Sequence, residues 1–136
     1  MGRLMGIDYG TKRTGIAITD PLQMFGSGLT AVNTKDIYTF ITTYLLTETI
    51  DKFIVGLPTN NNGSDTHNTQ SVLSFIRSLN NKYPKIIVET VDEAYTSKQA
   101  MQVLIQSGIK QKERRNKKLI DEVSAAIILQ QYLGNM

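Results

Sequence analysis

Two short apolar runs, Leu4-Met5-Gly6-Ile7 and Ile16-Ala17-Ile18, flank the segment Asp8-Tyr9-Gly10-Thr11-Lys12-Arg13-Thr14-Gly15. Each run is strand-sized, and a short link bounded by glycines leaves an antiparallel return as the simplest path. The first strand therefore ends on Asp8, beside a turn that carries Lys12 and Arg13, and the second closes on Asp20. Packing alone seldom puts a carboxylate at such a position. It can serve the turn by accepting hydrogen bonds from the amides of Gly10 and Thr11, or it can begin a metal or phosphate site.

The remaining chain continues this pattern. Gly28 to Val32 reads as a third strand, and Asp36 is placed to cap a helix running to about Thr47 with Ile37, Phe40, Ile41, Tyr44 and Leu45 at helical spacing. Phe53 to Leu57 is a continuous apolar run ended by Pro58, the pattern of a strand buried on both faces. A polar loop from Thr59 to Ser64 precedes a helix expected from about Asp65 to Asn80, and Lys85 to Val91 makes a fifth strand ending in Asp92-Glu93. Thr96 or Ser97 can cap a third helix that stops near Gly108, and a last helix is expected from about Leu119 to Leu133. Short links force the first three strands into an antiparallel meander, and helical crossovers add the next two in parallel. The expected fold is α/β, a mixed five-stranded sheet with helices on both faces, formed by residues 1–136 as a single domain.

The residue types narrow the chemistry. There is no cysteine, and His67 is the only histidine, which excludes thiolate sites and makes a histidine-rich zinc centre improbable. A bound metal would rest on oxygen ligands, which points to Mg2+ or Mn2+. The N-terminus enters a strand without a signal-peptide h-region, and no run approaches the roughly 18 apolar residues of a membrane span, so a cytoplasmic protein is expected. The net charge of +3 is uneven: Lys110, Lys112, Arg114, Arg115, Lys117 and Lys118 are six of the fifteen basic residues, with only Glu113 among them. Outside that segment nine bases face eleven acids, so the basic character is local.

The acids at the ends of elements belong together in this light. Asp8 ends the first strand, Asp92 and Glu93 end the fifth, and Asp121 falls in the expected first turn of the last helix. Asp121 shares a stripe with Ala125, Ile128 and Tyr132, which turns it toward the packed side. Singly, Asp121 can complement the helix dipole and the Asp92-Glu93 pair can be loop acids. Jointly they make an oxygen-only site suited to a divalent cation and to phosphodiester hydrolysis. Lys12, Arg13 and the basic segment are candidate phosphate contacts, the simpler alternative for each being a solvated cation.

The segment Gly6-Ile7-Asp8-Tyr9-Gly10-Thr11-Lys12-Arg13-Thr14-Gly15-Ile16-Ala17 resembles the N-terminal signature of the YqgF/RuvX family, Holliday-junction-resolvase-like nucleases of pre-16S rRNA. Val55-Gly56-Leu57-Pro58 with Asn62-Gly63-Ser64, Asp92-Glu93-Ala94-Tyr95-Thr96-Ser97 and the stretch Ile120 to Gln130 are similar to its later blocks, in family order and across nearly the whole chain. The resemblance implies a ribonuclease H-like fold with sheet order 3-2-1-4-5. It also implies a divalent-metal-dependent endonuclease that processes the 5′ end of pre-16S rRNA in ribosome biogenesis. Carried over by position, Asp8, Glu93 and Asp121 are the catalytic acids and metal ligands, while Lys12, Arg13, Lys112, Arg114, Arg115 and Lys117 are expected to contact nucleic acid, either structured RNA or branched DNA. Ala94 stands where the family pattern has arginine, and Asn62 where it has aspartate. The alternatives are a Holliday junction resolvase and a catalytically weak RNA-binding assembly factor. A monomer or weak homodimer is expected, with no membrane contact. The hairpin is also similar to the phosphate loop of actin-like ATPases, but those enzymes close two such domains around a nucleotide.

Overall fold

A computed structural model describes residues 2–58, 68–92 and 116–134, together with 102, 105 and 106. Strands β1 (Arg3–Asp8), β2 (Arg13–Thr19) and β3 (Gly26–Asn33) come first, followed by a 3-10 turn at Thr34–Asp36 and helix α1 (Ile37–Tyr44). Strand β4 (Ile50–Leu57), helix α2 (Thr69–Lys82), strand β5 (Ile87–Asp92) and helix α3 (Lys117–Leu133) complete the described elements. The sheet order is β3-β2-β1-β4-β5. β1 and β3 run antiparallel to β2, whereas β4 lies parallel to β1 and β5 parallel to β4. The expected mixed sheet and its strand order are both present.

Side-chain alternation sends the central strands into two cores. Met5, Ile7, Ile16, Phe53 and Val55 pack with Ile37 and Ile41 of α1 and with Val72, Phe75 and Leu79 of α2. Leu4, Ala17 and Ile54 pack on the opposite face against Ala125, Ile128 and Leu129 of α3. Because β1 and β4 are covered on both sides, their central stretches, Leu4 to Ile7 and Phe53 to Leu57, are continuously apolar rather than alternating.

The α3 face is paved with small residues, and these set how low the helix sits. A Cβ on Gly15 would lie 2.0 Å from the Asp121 carbonyl oxygen, and one on Gly6 would lie 2.6 Å from Leu129 Cγ and 2.9 Å from the Ala125 carbonyl oxygen. On β3, a Cβ on Gly28 would meet Glu122 Cβ at 3.1 Å. Farther along, Tyr132 fastens the helix to the far side of the sheet: its hydroxyl donates to Glu89 and accepts from Lys52 Nζ at 3.1 Å, while Lys52 and Glu89 pair at 3.5 Å. The Tyr132 hydrogen bond, with help from Lys52, holds the Glu89 carboxyl below its ordinary value of 4.5.

Five expectations need revision. α1 stops at Tyr44 instead of Thr47, and Asp36, although at its N-cap, makes no side-chain capping bond because the 3-10 turn already occupies that stretch. β3 is longer than its apolar residues suggest, since pairing with β2 extends it to Gly26 and Asn33. α3 begins at Lys117, where Asn116 Oδ1 accepts from the amides of Lys118 and Leu119. Asp121 is therefore in the second turn, too far from the end for the dipole to explain it. The expected start of the second helix and most of the third lie outside the described residues.

Two outcomes follow from this packing. Gly15→Ala should lower stability by about 1–3 kcal/mol in denaturant unfolding, and by more than Gly28→Ala, where Glu122 Cβ and the Glu122 carbonyl oxygen both lie at 3.1 Å instead of 2.0 Å; equal losses would mean the helix does not bear on Gly15. Tyr132→Phe should return the Glu89 carboxyl toward 4.5 in an NMR titration. Because the folded value is depressed, the stabilisation from Glu89 is present above 4.5 and fades as the pH falls through the folded value, so the variant should show a weaker stability decline in acid than the wild type.

Candidate nucleic-acid-cleaving site

Asp8 is the last residue of β1 and shares a face with Leu4 and Gly6, the face that α3 covers. In the antiparallel register Asp8 lies directly opposite Gly15, and the Asp121 backbone rests on Gly15. Two acidic residues 113 positions apart in sequence are thus both placed beside Gly15, at the carboxyl end of β1. Asp121 is half-buried, and its Oδ2 accepts a 2.8 Å hydrogen bond from Nε of Arg13 at the start of β2.

The hairpin turn beside these acids is held in place by Thr34, just beyond β3. The Thr34 amide donates to the Lys12 carbonyl at 2.9 Å, its hydroxyl donates to the Gly10 carbonyl at 2.6 Å, and its Oγ1 lies 2.8 Å from that of the buried Thr14. Gly10 permits this tight closure, since a Cβ there would fall 2.3 Å from the Arg13 carbonyl oxygen. Lys12 is consequently exposed on an anchored turn, and Arg13 is directed to Asp121. Thr34 carries no signature in the sequence that marks it as the anchor of a turn some twenty residues earlier. Gly15 was visible only as a turn boundary, and its role under α3 depends on which helix lands there.

β5 fixes the side on which Asp92 lies. Val88 packs into the α1–α2 core, while Glu89 and Val91 face α3. Asp92 ends the strand in step with Val88, on the side away from Asp8, and is exposed. Glu93 lies outside the described residues, as do Lys112, Arg114 and Arg115. Lys117 is the first residue of α3, exposed, one helical turn before Asp121. Among the described residues, no group of three or more histidine, cysteine, aspartate or glutamate side chains is assembled as a metal-binding set. None of the described helices is long and apolar enough to cross a membrane.

Comparison with known proteins is consistent across sequence and fold. Relatives named "Putative pre-16S rRNA nuclease" include one from Bacteroides thetaiotaomicron, 45% identical over 98% of this chain and 96% of its own. Another from Flavobacterium psychrophilum is 44% identical over 98% of this chain and 97% of its own, and one from Porphyromonas gingivalis is 42% identical over 99% and 98%. In three dimensions the chain is similar to Thermus thermophilus RuvC in complex with a Holliday junction substrate, with a TM-score of 0.51 at 15% identity over 99% of this chain and 98% of that one. That likeness concerns the fold, a RuvC-like α/β arrangement. The family model described as RuvX, Holliday junction resolvase, matches residues 2–135, and with these full-length relatives it shows that the chain belongs to the RuvX family.

Proposed function

We propose that this protein is a nuclease that hydrolyses phosphodiester bonds of structured nucleic acid, with pre-16S rRNA as its substrate and a divalent cation, Mg2+ or Mn2+, held by Asp8, Asp121 and Glu93. The observation that carries the proposal is the Asp8–Gly15 register beneath the Asp121 backbone, which brings two acidic residues from distant segments to the carboxyl end of the central strand. The donor set fits: both groups offer hard oxygen ligands, and the chain has no cysteine. Support for Glu93 over Asp92 comes from β5, where Asp92 falls in step with the residues facing away from α3. A bound divalent cation would lower the pKa of the attacking water and stabilise the departing oxygen.

The protein's own cations have separate work. Lys12, on its anchored turn, and Lys117, one turn before Asp121, offer charge to a phosphate backbone on either side of the acids. Lys112, Arg114 and Arg115 extend this positive charge in the segment leading to α3. Without them the acidic corner would repel a polyanion. The names of the relatives favour an rRNA precursor, and such a substrate places the protein in a bacterial cytoplasm. The family description favours branched DNA as the second reading.

Cleavage of a pre-16S leader RNA and of a four-way DNA junction, each with Mg2+ or Mn2+, tests this assignment. Asp8→Asn and Asp121→Asn should each reduce cleavage by about 100-fold or more, and faster cleavage of the RNA identifies it as the preferred substrate. Undiminished cleavage by both variants would refute the two-acid site. Lys12→Ala should weaken binding to both substrates alike and flatten its dependence on log salt by about one phosphate contact; an unchanged slope would remove Lys12 from the interface.

A further inference from the structure

Arg13 lies next to Lys12 on the hairpin, yet its guanidinium is engaged within the protein. Nε donates to Asp121 Oδ2 at 2.8 Å, with the two side chains 33% and 20% exposed, and so joins the start of β2 to α3. The bond occupies an oxygen of one of the two acids that form the corner. A guanidinium has donors and no acceptor, so its role toward Asp121 is that of a cation. A divalent cation bound to Asp121 would compete for the same lone pairs and would repel the guanidinium beside it.

We infer that Arg13 is a built-in counter-ion of Asp121 which a divalent cation displaces, and that the displaced guanidinium then binds a phosphate of the nucleic acid. The inference rests on the metal-site reading of Asp8 and Asp121 and adds a role for a residue outside the acid set. Paired in this way, Arg13 neutralises the Asp121 carboxylate and steadies Asp121 above Gly15. Arrival of the divalent cation makes that neutralisation redundant. The planar donor fork of Arg13, close to the exposed Lys12, is then available to phosphate oxygens, which it suits better than a lysine does. Metal and nucleic acid consequently assist one another: the metal releases Arg13 for phosphate, and phosphate draws Arg13 from Asp121. The protein would carry its full positive charge toward the substrate only when the metal is loaded.

Mn2+ affinity, measured by electron paramagnetic resonance on the full chain without nucleic acid, tests the inference directly. Arg13→Gln should bind Mn2+ roughly fivefold or more tightly than wild type, and Arg13→Lys, which keeps the charge but loses the planar fork, should fall between. Calcium should raise the affinity of wild type for a labelled four-way junction more than it raises that of Arg13→Gln. Should the glutamine variant fail to fold, by circular dichroism, Arg13→Met, which also removes the charge, takes its place. Mn2+ affinity in the folded neutral variant equal to or below that of wild type overturns the counter-ion role. Asp8→Asn separates the two levels: it should bind Mn2+ weakly, and wild-type affinity in that variant would instead overturn the metal site itself.

Discussion

The close approach of α3 to the glycine-paved face of the sheet is the constraint on which the rest depends. With Gly15 and Gly6 beneath it, the helix backbone lies where side chains would otherwise stand, and the Asp121 peptide touches the strand opposite Asp8. Any side chain at Gly15 would lift the second turn of the helix and with it one of the two acids. At its other end the same helix is tied to β4 and β5 through Tyr132, Lys52 and Glu89, so its height and its orientation are set by separate contacts. A packing feature thereby becomes a chemical one.

The hairpin supplies the second half of the corner. Thr34 reaches back to fasten the turn by its amide and its hydroxyl, which keeps Lys12 outside and lets Arg13 span to Asp121. The sheet contributes the acid at the carboxyl end of its central strand, the helix contributes the acid above, and the start of β2 contributes the cation paired with Asp121. Charge balance at Asp121 is thus local, and in the proposed account its disturbance by a divalent cation links metal loading to phosphate binding.

Much of this was legible in the sequence because it rests on local rules. Short links dictated the antiparallel meander, the unbroken apolar run Phe53 to Leu57 marked a strand covered on both faces, and the resemblance to the RuvX family supplied the strand order now seen. The inward stripe of Asp121 was legible from helical spacing. What was not legible depended on partners far apart in the chain. The start of α3 is set by Asn116 capping its amides, which moved Asp121 out of the first turn. The 3-10 turn before α1 left Asp36 without a capping bond. Arg13 read as a candidate phosphate contact because its partner lies 108 positions away, and the placing of Asp92 on the side away from Asp8 required knowing which face Val88 and Val91 occupy.

The most direct test of the central claim, that the close-packed helix and the end of β1 together form a divalent-cation site, is an anomalous difference map from a crystal soaked in Mn2+. One ion should appear in contact with carboxylate oxygens of both Asp8 and Asp121, with the Arg13 guanidinium turned away from Asp121. A fully soaked crystal with no ion at this corner, or with Asp8 and Asp121 serving separate ions, would contradict it.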